Sequence, residues 1–279
     1  MPMTNLSDRL AICSWSVQPK SPAELAEKLN TIGIRRVQLA LDPIREGGAW
    51  TDGVAKLADL GVTAPSGMFG AVGEDYSTLD SIRRTGGIVP DATWPQTFAN
   101  FKQMAPMAQQ AGISHVMFHA GFLPHDRKDP DYAKLADRLI KVADVFAAHG
   151  LTCCLETGQE EATSLRGFLE ELGKPNVRVN FDPANLILYA KGDPIAGLKT
   201  LLPYVVSCHI KDATLTKTPG TWGDEVVVGT GEVDWPAFFA TLGQGFTGTL
   251  ALEREAGDQR VADLQAAHTF VRGIIGKRA

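Results

Sequence analysis

The sequence predicts a single domain of the α/β class, a (β/α)8 TIM barrel spanning residues 1–279, and three observations support this prediction. Eight short segments rich in apolar or β-branched residues recur along the chain. Stretches with helical periodicity separate them, as in repeated strand–helix units with a parallel sheet. The chain length allows about 35 residues for each of eight units, which is a natural size for a strand, a helix and two loops.

The predicted strands follow the apolar segments in chain order. They are residues 10–17, 35–42, 63–70, 114–121, 151–158, 177–184, 205–212 and 248–255. In a barrel of this kind the carboxyl ends of all the strands meet at one mouth, where the catalytic residues of such enzymes lie. Polar side chains near the ends of these segments are therefore the first candidates for a functional site.

The helices between the strands have recognisable ends. Ser21 is a capping residue followed by a first-turn proline, and the helix that it starts ends at Gly33. Residues 132–149 form a second amphipathic helix, and residues 235–242 form another that Asp234 caps. These local signals agree with the alternation of strands and helices.

Two segments depart from the alternation. Residues 71–97 contain several glycines and prolines and are predicted to form a long loop after the third strand. Residues 213–232 form a second long loop after the seventh strand. Loops that follow the strands of a barrel build its catalytic face, so both are expected to cover a substrate site.

The composition excludes several classes of protein. Hydrophobic residues make up 44% of the chain, but no apolar run approaches the roughly 18 residues of a membrane helix. The net charge of -5 and the lack of a dense Lys/Arg cluster argue against nucleic acid as the main partner. The first residues lack a basic start followed by an apolar stretch, so we expect a cytoplasmic protein. The four cysteines lie in apolar segments and are expected to be buried thiols.

Four side chains that can bind a metal stand near the ends of the last four predicted strands. They are Glu156 in LETG, Asp182 in NFDPAN, His209 in CHIKD and Glu253 in ALERE. One such residue would carry little weight, but four on consecutive strands would converge at one mouth. Three carboxylates and an imidazole suit one divalent metal ion, Mn²⁺, Mg²⁺ or Co²⁺, and tolerate Zn²⁺.

The chain resembles the xylose isomerase-like superfamily of sugar isomerases and epimerases over nearly its whole length. The segments that carry the resemblance are LETG, NFDPANLILYAKGDP, CHIKDA, GTGEVDW and ALERE. The resemblance implies that Glu156, Asp182, His209 and Glu253 bind one metal ion. It also implies that Glu156 and Glu253 exchange a proton at carbon 3 of a ketose, and that the protein is a homodimer.

Other residues near the mouth are candidates for substrate binding. Asn185 stands where the sugar epimerases usually carry histidine, and Gln38 stands where relatives often carry glutamate. His119 either hydrogen bonds to substrate or is structural. Lys211 either stabilises an oxyanion or binds a phosphate or carboxylate group, or else it forms an ion pair with a ligand such as Asp182. Trp15 is an apolar floor for a sugar ring or a packing residue.

The leading hypothesis is a metal-dependent isomerase or epimerase that acts on a ketose or keto-sugar through an enediolate. The alternative is a dehydratase or lyase that acts on a keto-sugar or inosose with the same metal site. A nuclease like endonuclease IV is disfavoured, since such enzymes assemble three zinc ions from additional histidines and this chain has only six histidines in all. A non-catalytic sugar-binding barrel would leave the four converging residues without a physical reason.

Overall fold

A closed barrel of eight parallel strands forms the centre of the computed structural model, which describes residues 6–218 and 220–276. The barrel strands are β1 (Leu10–Cys13), β2 (Arg36–Ala40), β3 (Thr63–Met68), β4 (His115–Phe118), β5 (Thr152–Glu156), β6 (Val177–Phe181), β7 (Val205–Ile210) and β10 (Thr249–Leu252). They pair in chain order, and β10 pairs with both β7 and β1 to close the ring. The predicted fold class is confirmed.

Helices follow the strands and cover the outside of the barrel. They are α1 (Pro22–Ile32), α2 (Asp42–Glu46), α3 (Gly53–Asp59), α4 (Leu79–Thr85), α5 (Trp94–Gln110), α6 (Pro130–Ala148), α7 (Ala162–Leu172), α8 (Pro183–Leu188), α9 (Pro194–Leu201), α10 (Trp235–Leu242) and α11 (Arg260–Ile275). The predicted caps are present: Ser21 accepts the Glu24 N–H at α1, and Asp234 accepts the Ala237 N–H at α10. Gly33 ends α1 in the left-handed conformation, with φ of 85°.

Every predicted strand is present, but the predicted segments extend beyond the regular strands. The first one ends at Cys13, because Ser14–Val17 turn into a 3-10 helix, so Trp15 lies on this turn rather than in a strand. Asp182 and Glu253 likewise lie directly after their strands.

The prediction of a plain loop over residues 71–97 was wrong. Helix α4 lies inside it, and α5 begins at its end. Thr78 accepts the Ser81 N–H while the Ser81 hydroxyl accepts the Thr78 N–H, a capping box that starts α4. The prolines and glycines of this segment begin and end helices instead of preventing them: Pro95 is in the first turn of α5, and Gly86 caps the C-terminus of α4.

The second predicted loop, residues 213–232, contains a short antiparallel hairpin. Strand β8 (Asp212–Thr214) pairs with β9 (Asp224–Val226), with Asp212 opposite Val226. Residue 219, near the tip of the connection, lies outside the described residues. The hairpin follows β7 and places Trp222 and Glu225 above the mouth of the barrel.

One buried carboxylate fixes this hairpin and the turn after it. Asp212 is fully buried, and its two oxygens accept five hydrogen bonds; the donors are the N–H groups of Ala213, Gly229, Gly231 and Val233 and the indole N–H of Trp235. A side chain at Gly231 would collide with the carboxylate. The turn in GTGEVDW is therefore built around Asp212.

Replacing Asp212 with alanine is expected to lower the free energy of unfolding by about 3 kcal/mol, because it strips several buried N–H groups of their acceptor. Urea denaturation of the variant measures this effect. Asp224→Ala in β9 is the matched control, since Asp224 is exposed in the same hairpin and should change the stability little. Equal losses in the two variants would show that Asp212 does not organise the turn.

All four cysteines are buried and free, as predicted. Within the described ranges, no helix has the length and apolar character needed to cross a membrane.

Candidate active site

Four neighbouring strands bring the predicted metal ligands together. Glu156 is the last residue of β5, His209 lies near the end of β7, and Asp182 and Glu253 follow β6 and β10 directly. Strands β5, β6, β7 and β10 are consecutive in the closed ring, so their carboxyl ends form one side of the mouth. The convergence expected from the sequence is present in the structure.

The imidazole of His209 lies among the three carboxylates. Its Nδ1 atom is 2.9 Å from Glu156 Oε1, 3.1 Å from Glu253 Oε2 and 3.5 Å from Asp182 Oδ2. The four ligand atoms all lie within 4.8 Å of one another. The His209 and Asp182 side chains are fully buried, whereas the Glu156 side chain keeps 17% of its surface exposed and faces the cavity above.

Three of these ligand atoms, Asp182 Oδ2, His209 Nδ1 and Glu253 Oε2, are buried and form no hydrogen bond, although the ammonium group of Lys211 lies 3.1 Å from Glu253 Oε2. Buried polar atoms are nearly always hydrogen bonded, so carboxylate oxygens and an imidazole nitrogen that lack such bonds and lie this close together are costly unless a cation lies between them. Oxygen and imidazole nitrogen are the donors that bind Mn²⁺, Mg²⁺, Co²⁺ or Zn²⁺. The residues present therefore fit one divalent cation.

The other ring nitrogen of His209 has its own partner. Nε2 lies 2.8 Å from the Gln38 Oε1 atom, which can only accept a hydrogen bond, so Nε2 carries a proton and Nδ1 is the nitrogen that can bind a cation. The thiol of Cys13 also donates to Gln38 Oε1. Burial raises the pKa of Cys13 to about 12, which favours its thiol form.

Gln38 is fully buried in the barrel and contacts His209, below the cavity. This position differs from the substrate-binding position predicted from the sequence. No local pattern indicates this contact, because 171 residues separate the two side chains along the chain.

Asp182 has a second role as the N-terminal cap of α8. Its Oδ1 atom accepts the N–H of Asn185, which leaves Oδ2 facing the cluster. The Asn185 side chain lines the cavity and donates to the carbonyl of Thr157, so its amide holds the LETG segment in place. Gly158 has φ of 147°, and a side chain there would collide with the Cβ of Asn185, which explains the glycine in that segment.

The charges around Glu253 favour its ionised form. Burial by itself would raise the pKa of Glu253, but the adjacent charges of His209 and Lys211 hold it well below its usual value. The same two effects act in opposite directions on the pKa values of His209 and Lys211. Burial would lower the pKa of both His209 and Lys211, yet the negative charge of Glu253 raises each well above its usual value. Glu253 also accepts the indole N–H of Trp15 at 2.7 Å.

A cavity of about 540 Å³ opens above the cluster at the mouth of the barrel, a volume typical of small-molecule sites. Predicted site residues in its wall are Trp15, His119, Glu156, Asn185, Lys211 and Glu253. Lys211 forms ion pairs with Glu253 and Glu255 at 3.1 and 2.9 Å and lies 3.8 Å from Asp182. The ion-pair alternative for Lys211 is thus present, with the predicted ligands Glu253 and Asp182 and with Glu255, which the sequence did not single out.

His119 belongs to a second polar group in the cavity wall. Its Nδ1 atom lies 2.9 Å from Glu74 Oε1, which also accepts the N–H of Gly87. Nε2 of His119 is buried without a partner. Glu160 is buried behind the wall, and its burial raises its pKa to about 7.

Sequence reasoning missed several residues of the cavity wall. They are Glu74, Tyr76, Gln159, Tyr189, Trp222, Glu225 and Glu255. Most of them lie on the segments that follow the strands, and their sequence context resembles that of ordinary surface residues. The only prediction that bears on them is that long segments after the strands, residues 71–97 and 213–232, cover the substrate site.

The profile of the family described as "Xylose isomerase-like TIM barrel" matches residues 27–274. The chain belongs to this family. The match runs from helix α1 to the end of α11 and so includes all four candidate ligands and nearly every strand of the barrel.

Members and structural neighbours of the family resemble the chain to different degrees. The crystal structure of a xylose isomerase domain protein from Planctomyces limnophilus has 33% identity and a TM-score of 0.84, and the alignment covers 90% of this chain and 92% of that one. The uncharacterised protein YihM of Escherichia coli is 27% identical over 165 residues, or 58% of this chain. The matched region spans about half of the length of YihM (50%).

More distant structures share the fold alone. A structure of L-ribulose 3-epimerase has 18% identity and a TM-score of 0.72, with 96% of this chain and 95% of that one covered. A xylose isomerase-like TIM barrel protein from Mycobacterium smegmatis, in complex with magnesium, has 14% identity and a TM-score of 0.75, with 99% of each chain covered.

Proposed function

We propose that the protein is a divalent-metal-dependent isomerase or epimerase that moves a proton next to the carbonyl of a ketose or keto-sugar. The observation that carries the proposal is the cluster of buried atoms of Asp182, His209 and Glu253 that form no hydrogen bond, beneath a cavity that Glu156 and Glu253 also line. The epimerase and the magnesium complex among proteins of the same fold support it.

A hydrogen beside a carbonyl is too weak an acid for a free carboxylate to remove at neutral pH. A divalent cation held by Glu156, Asp182, His209 and Glu253 would supply the positive charge that stabilises the enediolate oxygens. The burial of Asp182, His209 and Glu253 strengthens this electrostatic effect, because solvent screens buried charges less than exposed ones.

Glu156 and Glu253 are the proton-transferring groups in this proposal. Strands β6 and β7 lie between β5 and β10 in the ring, so the two carboxylates approach the cavity from different sides. One removes the proton from one face of the substrate, and the other returns a proton to the opposite face, which inverts the carbon. His119 accepts a substrate hydroxyl at its free Nε2 atom, with Glu74 holding the opposite N–H.

The same residues support the dehydratase alternative, because an enediolate with a neighbouring hydroxyl can lose it as water. Product analysis distinguishes the two reactions, since elimination creates an absorbing enone. The nuclease hypothesis lacks a comparable basis. Within the described residues, two groups of side chains could hold a metal ion. One is the cluster of Glu156, Asp182, His209 and Glu253, and the other combines Cys13 with the same His209 and Glu253, so the two groups form one site and not three.

Deuterium incorporation from D₂O tests the proposal. The protein is incubated with a panel of ketoses and inososes, with added Mn²⁺ or Mg²⁺ and again after chelation, and the labelled carbon is identified by NMR. We expect about one metal ion per chain and metal-dependent exchange of one carbon-bound hydrogen. A protein that binds no metal and exchanges no hydrogen in any member of the panel would disprove the proposal.

Gln38 is a positioning residue in this proposal, and its replacement is expected to weaken metal binding. In Gln38→Leu, His209 loses the acceptor that keeps its lone pair on Nδ1, so the metal Kd should rise about 10–100-fold. Gln38→Glu retains an acceptor and should restore most of the affinity. Titration with Mn²⁺ measures both variants. Loss of affinity in both, or in neither, would rule out a role through the His209 N–H.

A further inference from the structure

Most of the charged side chains in the wall of the cavity are carboxylates. The acidic side chains that line it are Glu74, Glu156, Glu225, Glu253 and Glu255, whereas Lys211 is the one lysine or arginine among the described lining residues. A divalent cation in the cluster leaves an excess of negative charge, because its three carboxylate ligands already exceed its own charge. Any substrate that enters the cavity therefore meets a negative field.

Lys211 is not free to bind an anion. Its ammonium group is 2.9 Å from Glu255, 3.1 Å from Glu253 and 3.8 Å from Asp182, and its side chain is only 6% exposed. An anionic ligand would have to displace a carboxylate from Lys211 and would then lie beside that carboxylate. The positive charge that could attract a phosphate is thus already compensated.

Arg254, the residue after Glu253, is also held in ion pairs. Arg254 donates to Glu225 on the hairpin and to Asp263 on α11, at 2.9 Å in each case. Glu225 in turn accepts the N–H groups of Glu255 and Ala256. These bonds attach the hairpin to the segment after β10 and occupy the guanidinium group of Arg254.

The glycine turn nearest the hairpin offers no phosphate site either. Phosphate groups are often held by the free N–H groups of a glycine-rich turn. The N–H groups of Gly229 and Gly231 already donate to the buried carboxylate of Asp212. An anion there would compete with a carboxylate that is fixed by three further donors.

Aromatic rings form much of the remaining wall. Tyr189 and Trp222 meet edge to face, with their ring centroids 4.7 Å apart, and Trp15 lies 6.0 Å from the His209 ring. Rings of this kind pack against the C–H faces of a sugar while their polar edges hydrogen bond. The carboxylates around them accept hydrogen bonds from hydroxyl groups, which are abundant on a polyol.

We propose that the cavity selects an uncharged polyhydroxy ketone and rejects phosphorylated or carboxylated sugars, with Glu255 as a determinant of this selection. The proposal rests on the proposed function and names the class of substrate for the same site. Glu255 acts by holding Lys211 and by adding negative charge at the entrance, where its side chain is half exposed.

The test compares a ketose, its terminal phosphate ester and a keto acid of matching length. Calorimetric titration measures binding to the metal-loaded protein, and D₂O exchange measures the reaction in parallel. In the wild type, the ketose is expected to bind about 100-fold more tightly than the phosphate ester, since the ester brings two negative charges near several carboxylates. Glu255→Gln and Glu255→Lys should reduce this ratio about tenfold for each unit of charge, and added salt should reduce the effect.

Glu170→Lys is the matched control, because Glu170 is exposed on α7 and pairs with Arg166 away from the cavity. It should leave the ratio unchanged. Phosphate-ester binding as tight as that of the ketose in the wild type would overturn the inference, as would equal ratios in Glu255→Lys and Glu170→Lys. Preferential binding of the ketose without hydrogen exchange would disprove the proposed function alone and leave the selection intact.

Discussion

Glutamine in place of Glu253 is expected to lower turnover about 10²–10⁴-fold, the usual contribution of a general acid or base. Glu253 is held in its anionic form, and its side chain is 3% exposed beside the cavity. Glutamine keeps an oxygen that can bind the metal ion, but it cannot take up a proton at neutral pH. Glu156→Gln should cause a loss of similar size. Metal analysis of both variants separates lost proton transfer from lost metal.

The pattern of exchange in these two variants distinguishes the candidate reactions. An epimerase with two proton-transferring groups should lose turnover in each variant, while each retains D₂O exchange at the face of the surviving carboxylate. A one-base isomerase or dehydratase should lose all exchange in only one of them. Glu170→Gln controls for the loss of an exposed glutamate elsewhere in the chain. Unchanged turnover in both site variants would contradict the assignment of these carboxylates.

The Asp182→Asn variant is expected to lose more than about 100-fold in metal affinity and, with it, nearly all turnover. Asparagine can still accept the Asn185 N–H through Oδ1, so the cap of α8 survives. At the position of Oδ2 it places the NH₂ group of the amide, which repels a cation. The free energy of unfolding of the metal-free variant should therefore lie within about 1 kcal/mol of that of the metal-free wild type.

The chain contains a matched control for this substitution. Asp193 also precedes a proline and caps a helix, α9, through the N–H of Ala196, but it lies away from the cluster. Asp193→Asn should leave the metal affinity and turnover unchanged. Metal titration and urea unfolding measure both variants. A similar loss of metal affinity in the two would mean that the change acts through helix capping.

The alternation of strands and helices, and the positions of the four candidate ligands, could be predicted from the sequence because both depend on local patterns. A strand is recognisable from its apolar residues, and a helix such as α1 from its cap and final glycine. Once the strands form a parallel barrel, their carboxyl ends must meet. The approach of Glu156, Asp182, His209 and Glu253 follows from the fold class rather than from any further detail.

The rest of the site depends on contacts between residues far apart in the chain. Gln38 meets His209 only because both side chains point into the barrel interior, from β2 and β7. Glu74 reaches His119 only because the segment after β3 packs against the residues that follow β4. The hairpin that carries Glu225 is fixed by Asp212 and Arg254. No local pattern marks such partners, since each side chain alone is an ordinary polar residue. The sequence by itself thus determined the barrel and the convergence of its four candidate ligands, whereas tertiary packing decided which groups orient His209, neutralise Lys211 and give the cavity its charge.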